Sequence, residues 1–174
     1  KAAAFIMEEV ERLNRTLSSF LEFARPASPD LKRVNVIDLL EEILASTRES
    51  LVQKGYQIND QFPDKIPDVK ADPEQLKQIF WNILLNAVQS MPDGGLISVT
   101  AGLQDIKDIT MNEILLADGA DPDLRTALFI SVNDHGWGLS EEQIRKIMDP
   151  FISFRDDGTG LGLAIVSQLF KAHK

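Results

Sequence analysis

The sequence predicts an α+β fold, a two-layer sandwich in which helices cover one face of a mixed β-sheet, preceded by a long N-terminal helix. Apolar residues recur every three to four positions in some segments, which is typical of amphipathic helices, and alternate in shorter segments, which is typical of strands. Helices and strands mixed in this order pack as a sheet with helices on one face. An apolar fraction of 44% over 174 residues is sufficient for a hydrophobic core.

Composition excludes several classes of protein. The formal net charge is −9, and an acidic chain disfavours nucleic-acid binding because phosphate recognition requires a basic face. There is no cysteine and there are two histidines, His135 and His173, which excludes disulfide scaffolds and argues against thiolate or His-rich metal sites. No apolar run reaches the roughly 18–20 residues of a membrane span. The first residues, Lys1 to Ala4, begin in mid-pattern without Met, so we expect a piece of a longer protein.

The N-terminal segment, residues 1–25, predicts one amphipathic helix. Its apolar residues have the alternating four- and three-residue spacing of a heptad seam, which is typical of helical bundles. They are Ile6, Val10, Leu13, Leu17, Phe20 and Ala24. We interpret this segment as a helix of a bundle or dimer, although a helix lying on its own domain would show the same pattern. Pro26 and Pro29 then make residues 26–34 a stiff linker.

Residues 35–174 predict a second domain of alternating elements. Helices are predicted over 38–53, 72–91, from Ser140 and from 163 onward, and strands over 56–62, near Val69, over 96–101 and over 127–133. Gly55 ends the first of these helices, and Ser140 with Gln143 fits a capping box. Residues 104–125 are acidic and irregular, and we expect a surface excursion there.

The helix 72–91 carries a stripe of amide side chains beside its apolar face. Gln78, Asn82 and Asn86 are four residues apart and therefore lie along one side of the helix. Asn is unfavourable in the interior of a helix, so helix stability does not explain its recurrence in this stripe. Carboxamide oxygens are hard, neutral ligands that suit Mg²⁺. The stripe favours a face that meets a phosphate–metal group, although an ordinary polar surface stripe is the alternative.

A second motif, Asn133 to Gly138, follows a predicted strand. Asp134 would stand at the strand end, where a buried carboxylate could accept from an amino group. Gly136 and Gly138 permit a tight turn and a close backbone approach to a ligand. A simple Asp-Gly turn is the alternative. We interpret His135 as a loop residue and not as a catalyst.

A third motif is a glycine-rich loop before the last helix. Backbone N–H groups of such a loop, together with the helix N-terminus behind it, form an anion site. The spacing fits neither the Walker pattern nor the dinucleotide-binding pattern. A flexible hinge is the alternative. Arg155, just before the loop, could reach a phosphate or could be solvated. The loop residues concerned are Gly158, Thr159, Gly160, Leu161 and Gly162.

In this order, the three motifs resemble those of the catalytic ATP-binding domain of sensor histidine kinases, in the superfamily shared with DNA gyrase and heat-shock chaperone ATPases. Residues 72–91 resemble the N box of that family, 134–138 its first glycine box, 148–151 its phenylalanine box and 158–162 its second glycine box. Residues 11–26 are similar to the second helix of its dimerisation domain. Gln78 and the short lid are most similar to the nitrogen-regulator type.

The resemblance implies ATP and Mg²⁺ as cofactors, with roles at matching positions. Asn86 would coordinate Mg²⁺, Asp134 would accept from the adenine amino group, and residues 149–160 would be the mobile ATP lid. No catalytic residue is assigned, because the phosphoacceptor histidine of the family lies on a helix before residue 1. The implied nucleotide-binding residues are Asn82, Asn86, Asp134, Gly136, Gly138, Arg155, Gly158, Thr159, Gly160, Leu161 and Gly162.

The implied function is that of a histidine kinase fragment, which donates the γ-phosphoryl group of Mg-ATP to that histidine for relay to an aspartate of a response regulator receiver domain. The N-terminal helix would contribute to a homodimeric four-helix bundle. We expect a cytoplasmic kinase portion, and the sequence leaves open whether the whole protein is membrane-anchored. Two alternatives remain: a nucleotide-dependent binding module without phosphoryl transfer, and an ATPase or protein-serine kinase of the same superfamily.

The sequence also departs from the family pattern. The family continues past the last helix into strands that complete the sheet, so we expect this chain to lack a wall of its pocket and not to autophosphorylate alone. Met148 replaces a phenylalanine, a change from one apolar residue to another. Gln89 and Ser90 stand where many members have a basic and an aromatic residue, which predicts weaker nucleotide affinity.

Overall fold

The structure is a computed structural model, and it describes residues 28–105, 126–155 and 158–173, together with ten residues of the N-terminal segment. All ten are helical, as the heptad pattern predicts. Five of the predicted seam residues are among them and all five are exposed: Ala24, and at 44–57% Val10, Leu13, Leu17 and Phe20. None of the described helices is long and apolar enough to span a membrane.

Five strands and four further helices follow in the described part of the chain. In chain order they are β1 (Lys32–Val34), α1 (Val36–Gln53), β2 (Tyr56–Gln61), β3 (Val69–Ala71), α2 (Pro73–Ser90), β4 (Gly95–Asp105), β5 (Thr126–Asn133), α3 (Glu141–Lys146) and α4 (Gly162–Ala172). The predicted elements are present with shifted ends, and the capping box of Ser140 and Gln143 is formed. Most of the predicted excursion, residues 106–125, lies outside the described residues.

Strand β1 corrects the prediction that residues 26–34 are only a linker. It pairs antiparallel with β3, with Lys32 opposite Ala71 and Val34 opposite Val69. Val34 is its one buried residue, so the three-residue segment carries no alternating pattern. A strand this short is defined by its partner and not by its own sequence.

The main sheet is mixed, in the order β2–β4–β5, and β1–β3 form a separate two-stranded ladder. Strand β4 runs parallel to β2 and antiparallel to β5. The register sets Asn133, at the end of β5, opposite Ser98, near the start of β4. The turn that follows β5 therefore lies at the same end of the strands as the turn that connects α2 to β4.

Helix α2 lies between two hydrophobic clusters. Phe80 and Leu84 pack with α1 and with the β4 residues Ile97 and Val99, which are fully buried. On another side, Ile79 packs with Leu161 and the buried residues of α4. Apolar burial on two sides fixes the position of α2, at about 25 cal/mol for each Å² removed from water.

Both ends of α2 are held by side-chain hydrogen bonds. At the C-terminal end, the hydroxyl group of Tyr56 lies 2.9 Å from the carbonyl oxygen of Val88 and 2.8 Å from that of Met91. At the N-terminal end, Asp72 caps the helix by accepting from the backbone N–H groups of Glu74 and Gln75. These contacts compensate backbone groups that a helix terminus leaves unpaired.

Asp72 also connects distant segments. Its Oδ2 accepts from the backbone N–H of Asp30 at 2.8 Å, and its own backbone N–H donates to Nε2 of His173 at 3.1 Å. Burial of Asp72 raises the pKa of its carboxyl group. The backbone N–H groups of Asp30, Gln75 and Glu74, together with the nearby His173, lower that pKa by more than burial raises it. The net pKa lies below the ordinary value of 3.8, so folding favours the carboxylate.

Replacing Asp72 with Asn should destabilise the protein in a pH-dependent manner. Asn still caps a helix, but its amide nitrogen does not accept the N–H of Asp30, so we expect a loss of about 1 kcal/mol at pH 7. A carboxyl group whose pKa is lowered by folding stabilises the protein at pH values above its unfolded-state pKa. That stabilisation is lost as the pH falls through the folded-state pKa. The difference between Asp72→Asn and wild type should therefore shrink below about pH 4, measured by urea unfolding.

The exposed Asp64 supplies the control, since Asp64→Asn should leave stability nearly unchanged at both pH values. A loss in Asp72→Asn that stays constant between pH 7 and pH 3 would contradict the role assigned to the charge of Asp72.

Candidate functional site

Three segments converge on the α2 face that carries the predicted amide stripe. The turn after β5 reaches Ser90 through Asp134, which lies 2.7 Å from the Ser90 hydroxyl group. The segment before the glycine-rich loop reaches Gln89 through Arg155. The start of α4 lies beside Asn82, whose Oδ1 would be 3.6 Å from a Cβ atom at Gly162. The structure thus brings residues of all three predicted motifs together.

Asp134 is held by the end of α2 and by its own turn. Its Oδ1 accepts from the backbone N–H of Gly136 at 2.9 Å and lies within hydrogen-bond distance of the Ser90 Oγ. The Ser90 Oγ is also 2.8 Å from the carbonyl oxygen of Ala87, so its single proton is donated to one acceptor at a time. The Asp134 side chain is exposed, which corrects the expectation of a buried acceptor.

The two glycines of this turn are required for different reasons. A Cβ atom at Gly136 would lie 2.2 Å from the Ser90 Oγ, so a side chain there would separate Ser90 from Asp134. Gly138 has a φ of +69°, and no described atom lies within 4 Å of a Cβ placed on it. Gly136 therefore allows close packing within the protein, whereas Gly138 supplies the left-handed backbone that redirects the chain.

His135 lies in this turn, as interpreted from the sequence. Its backbone N–H points to the Met91 sulfur at 3.3 Å, and its Nδ1 is 3.3 Å from the carbonyl oxygen of Leu96. Both contacts fasten the turn to the connection between α2 and β4.

The glycine-rich loop is closed at its neck. The backbone N–H of Phe151 donates to the carbonyl oxygen of Gly160 at 3.0 Å, and both residues have a positive φ, +65° and +66°. A Cβ atom at Gly160 would lie 2.5 Å from the carbonyl carbon of Phe151. Within the loop, the N–H of Gly158 donates to the carbonyl oxygen of Arg155, and a Cβ at Gly158 would lie 2.1 Å from the Ser153 Oγ. Glycine is therefore required sterically at Gly160, where the clash is with backbone, whereas at Gly158 a side chain would only displace the Ser153 hydroxyl group.

The start of α4 is a candidate anion site. Leu161, at the N-cap position, makes no side-chain hydrogen bond to the first turn of the helix. The unpaired N–H groups of this turn and the positive end of the helix dipole attract anions. Leu161 is 1% exposed and anchors the helix start in the second cluster. The backbone N–H of Leu161 already donates to the Thr159 Oγ1 at 3.3 Å. This contact differs from the predicted donation of that N–H to a phosphate.

The amide stripe is suited to a metal ion that takes most of its ligands from a bound phosphate group and water. Asn82 and Asn86 are half-buried. The described residues contain no group of three or more His, Cys, Asp or Glu side chains that could hold a metal ion. Mg²⁺ in proteins commonly takes one or two protein oxygens and completes its shell with phosphate oxygens and water. The carboxamide of Asn86 fits that ligand set.

Arg155 has two partners that sequence reasoning missed. Its Nη1 donates to the Gln89 Oε1, and its guanidinium carbon lies 5.9 Å from the ring centroid of Trp137. The sequence did contain a signal, because Gln89 follows Asn86 by three residues and so continues the amide stripe. Likewise Ser90, which from sequence was only a departure from the family pattern, contacts Asp134.

Replacing Gly160 with Ala should destabilise the protein more than replacing Gly138 with Ala. Both substitutions place a side chain at a positive φ, which costs about 1 kcal/mol. Only the Gly160 variant adds a clash with backbone, of roughly 2 kcal/mol more. Chemical unfolding of the two variants measures the difference, and equal losses would contradict the close packing at the loop neck.

Comparison with known proteins identifies the family. Residues 71–174 match the model of the histidine kinase-, DNA gyrase B- and HSP90-like ATPases. The sensor histidine kinase ZraS of Escherichia coli (strain K12) is 31% identical over 171 residues, which are 98% of this chain and 32% of ZraS. The chain thus spans about a third of the length of this curated relative.

Solved structures agree with that match. Full-length ShkA, crystallised in complex with AMPPNP, is 26% identical with a TM-score of 0.71, covering 95% of this chain and 32% of ShkA. The histidine kinase ThkA, in complex with the response regulator protein TrrA, shares the fold with a TM-score of 0.65 at 20% identity, over 93% of this chain and 41% of ThkA.

The mixed α+β fold agrees with these histidine kinase structures, which confirms the predicted fold class. The nitrogen-regulator subtype is not confirmed and stays a prediction. Because the family match covers more than half of the 174 residues, the chain belongs to the family of histidine kinase-, DNA gyrase B- and HSP90-like ATPases, as the ATP-binding domain of a histidine kinase.

Proposed function

We propose that this chain is the catalytic part of a sensor histidine kinase. In this proposal it binds Mg-ATP and donates the γ-phosphoryl group to a histidine on a preceding helix, and an aspartate in the receiver domain of a response regulator then accepts it. The observation that carries the proposal is the convergence of Asp134, the amide stripe and the start of α4 on one face of α2. The AMPPNP complex of ShkA and the TrrA complex of ThkA support it.

The adenine base would bind at the Asp134 end of this face. A carboxylate oxygen accepts from an exocyclic amino group, and the hydrogen bonds of Gly136 and Ser90 hold the Asp134 carboxylate in one orientation before a ligand binds. The open space at Gly138 would allow the base to approach the backbone.

The phosphates would bind at the other end, between the amide stripe and the start of α4. The backbone N–H groups at Gly160 and Gly162 would donate to phosphate oxygens, with Asn82 beside them. The N–H of Gly158 would do so only after leaving the carbonyl oxygen of Arg155. Asn86 would hold Mg²⁺, which supplies charge neutralisation on the phosphates. Phosphoryl transfer depends mainly on positioning and electrostatic stabilisation, so an acidic chain without a basic cleft is compatible with it.

The N-terminal helix would join a homodimeric bundle. Its seam residues Val10, Leu13 and Leu17 are at least half exposed, and apolar side chains at heptad spacing are buried when a partner helix supplies the opposing seam. In this proposal residues 1–25 belong to the dimerisation domain, the linker ends before β1, and the catalytic domain extends from β1 to the end of the chain.

One observation also favours the alternative of a nucleotide-dependent binding module. Phe151, at the loop neck, lies 6.4 Å from the ring centroid of Phe20 and 6.3 Å from that of Phe23 on the N-terminal helix. A nucleotide that moved the loop would therefore change the contacts of this helix without any transfer of phosphate. Both functions require the same nucleotide site.

The nucleotide site is tested by calorimetric titration with ATP, with and without Mg²⁺. We expect Mg²⁺-dependent binding to wild type, weakened at least about tenfold by Asp134→Ala, which removes a charged acceptor. Asn86→Ala should weaken Mg-ATP by a similar factor and abolish most of the Mg²⁺ dependence. The exposed Asn59 on β2 supplies the control, Asn59→Ala, which should bind as wild type does.

Unchanged affinity in Asn86→Ala would refute the assignment of Asn86 as a metal ligand. Failure of ATP to bind both this chain and a longer form that carries the strands expected after α4, with or without Mg²⁺, would refute the nucleotide site itself.

Phosphoryl transfer is tested in a longer form of the protein that includes the preceding helix. Labelled phosphate that is stable to base and labile to acid would support the histidine kinase. Acid-stable phosphate would support a protein-serine kinase, and steady hydrolysis would support an ATPase. Binding without any transfer or hydrolysis would favour the binding module.

A further inference from the structure

We propose that Gln89 and Trp137 are positioning residues that hold the guanidinium group of Arg155 at the nucleotide site before the nucleotide binds. These three residues are called the Arg155 clasp. The inference rests on the proposed function, because it assigns the clasp to the site described above.

The clasp joins three separate segments. Gln89 is half-buried near the end of α2, Trp137 lies in the turn after β5, and Arg155 precedes the glycine-rich loop. Nη1 of Arg155 donates to the Gln89 Oε1, while the guanidinium carbon lies 5.9 Å from the Trp137 ring centroid. A hydrogen bond at one guanidinium nitrogen and a cation–π contact of the guanidinium carbon over the Trp137 ring together restrict the position of the group.

The clasp lies between the two ends of the candidate site. Gln89 is one helical turn beyond Asn86, so their side chains are neighbours on the surface of α2. Gln89 also directly precedes Ser90, which contacts Asp134 at the proposed base end. Gln89 thus draws the Arg155 guanidinium to the part of α2 between the proposed metal ligand and the proposed base acceptor.

Holding Arg155 in advance favours the binding of an anion. Arg155 is the one cationic residue among the eleven predicted nucleotide-binding residues, in a chain with a net charge of −9. A free arginine side chain has many rotamers, and ordering it during binding costs entropy. Because a guanidinium has five N–H donors in one plane, a bond to Gln89 is compatible with additional bonds to phosphate oxygens.

The clasp is tested first in the nucleotide-free protein by tryptophan fluorescence. The chain has two tryptophans, so the Trp81→Phe background leaves Trp137 as the sole tryptophan, which is excited selectively at wavelengths where tyrosine does not absorb. In that background Arg155→Met should shift the Trp137 emission, and Gln89→Met, which keeps the side-chain length but removes the acceptor, should shift it in the same direction. The exposed Gln57 on β2 supplies the control, Gln57→Met, which should leave the emission unchanged.

The positioning role is tested by a double-mutant cycle on Mg-ATP affinity. We expect Arg155→Met to weaken binding roughly tenfold and Gln89→Met to weaken it roughly threefold. If Gln89 acts through Arg155, the double variant should bind no more weakly than Arg155→Met alone.

Several outcomes would overturn the inference. Additive losses would mean that Gln89 contributes independently of Arg155, and tighter binding by Gln89→Met would mean that the clasp competes with the nucleotide. Unchanged Trp137 emission in both variants, with Mg-ATP binding intact, would refute the clasp while leaving the proposed function in place. Absence of Mg-ATP binding both by this chain and by a longer form that carries the strands expected after α4 would refute the proposed function, and with it the role of the clasp at a nucleotide site.

Discussion

The burial of α2 between the sheet and α4 is the constraint on which the site depends. One side of the helix packs on Ile97 and Val99, another on α4, and Tyr56 and Asp72 hold its two ends. A helix fixed in this way has one face left for polar side chains, and that face carries the amide stripe. The same packing that stabilises the fold therefore orients the stripe, Gln89 and Ser90 toward the neighbouring loops.

The sheet register completes the site from the opposite direction. Because Asn133 pairs with Ser98, the turn after β5 leaves the sheet beside the end of α2, and the absence of a side chain at Gly136 lets Asp134 reach Ser90. The loop neck at Phe151 and Gly160 similarly delivers the chain to the start of α4. A Cβ atom at Gly136 or Gly160 would overlap atoms of a neighbouring segment, which explains why glycines recur in both motifs.

Sequence reasoning predicted most of the fold and the elements of the site, because apolar periodicity and glycine spacing are local signals. The helices, the strands of the main sheet and the capping box of Ser140 follow from such patterns. It missed what depends on contacts between distant segments: β1, defined by its pairing with β3, the contact of Ser90 with Asp134, and the exposure of that carboxylate. Gln89 is the instructive case, since the same residue that departs from a family pattern has a partner, Arg155, on a different segment.

The contacts of Asp72 have a consequence for the order of folding. Its carboxylate binds residue 30, 42 positions earlier, and its backbone binds His173, 101 positions later. Contacts between residues so far apart in sequence close large loops at an entropic cost, and because these two lie at the ends of their elements we expect them to form late in folding and to open early in unfolding. Fraying of the last turn of α4 would release His173 from Asp72 while leaving the core of α2 packed. The junction at Asp72 is thus expected to exchange its amide hydrogens sooner than the centre of the same helix.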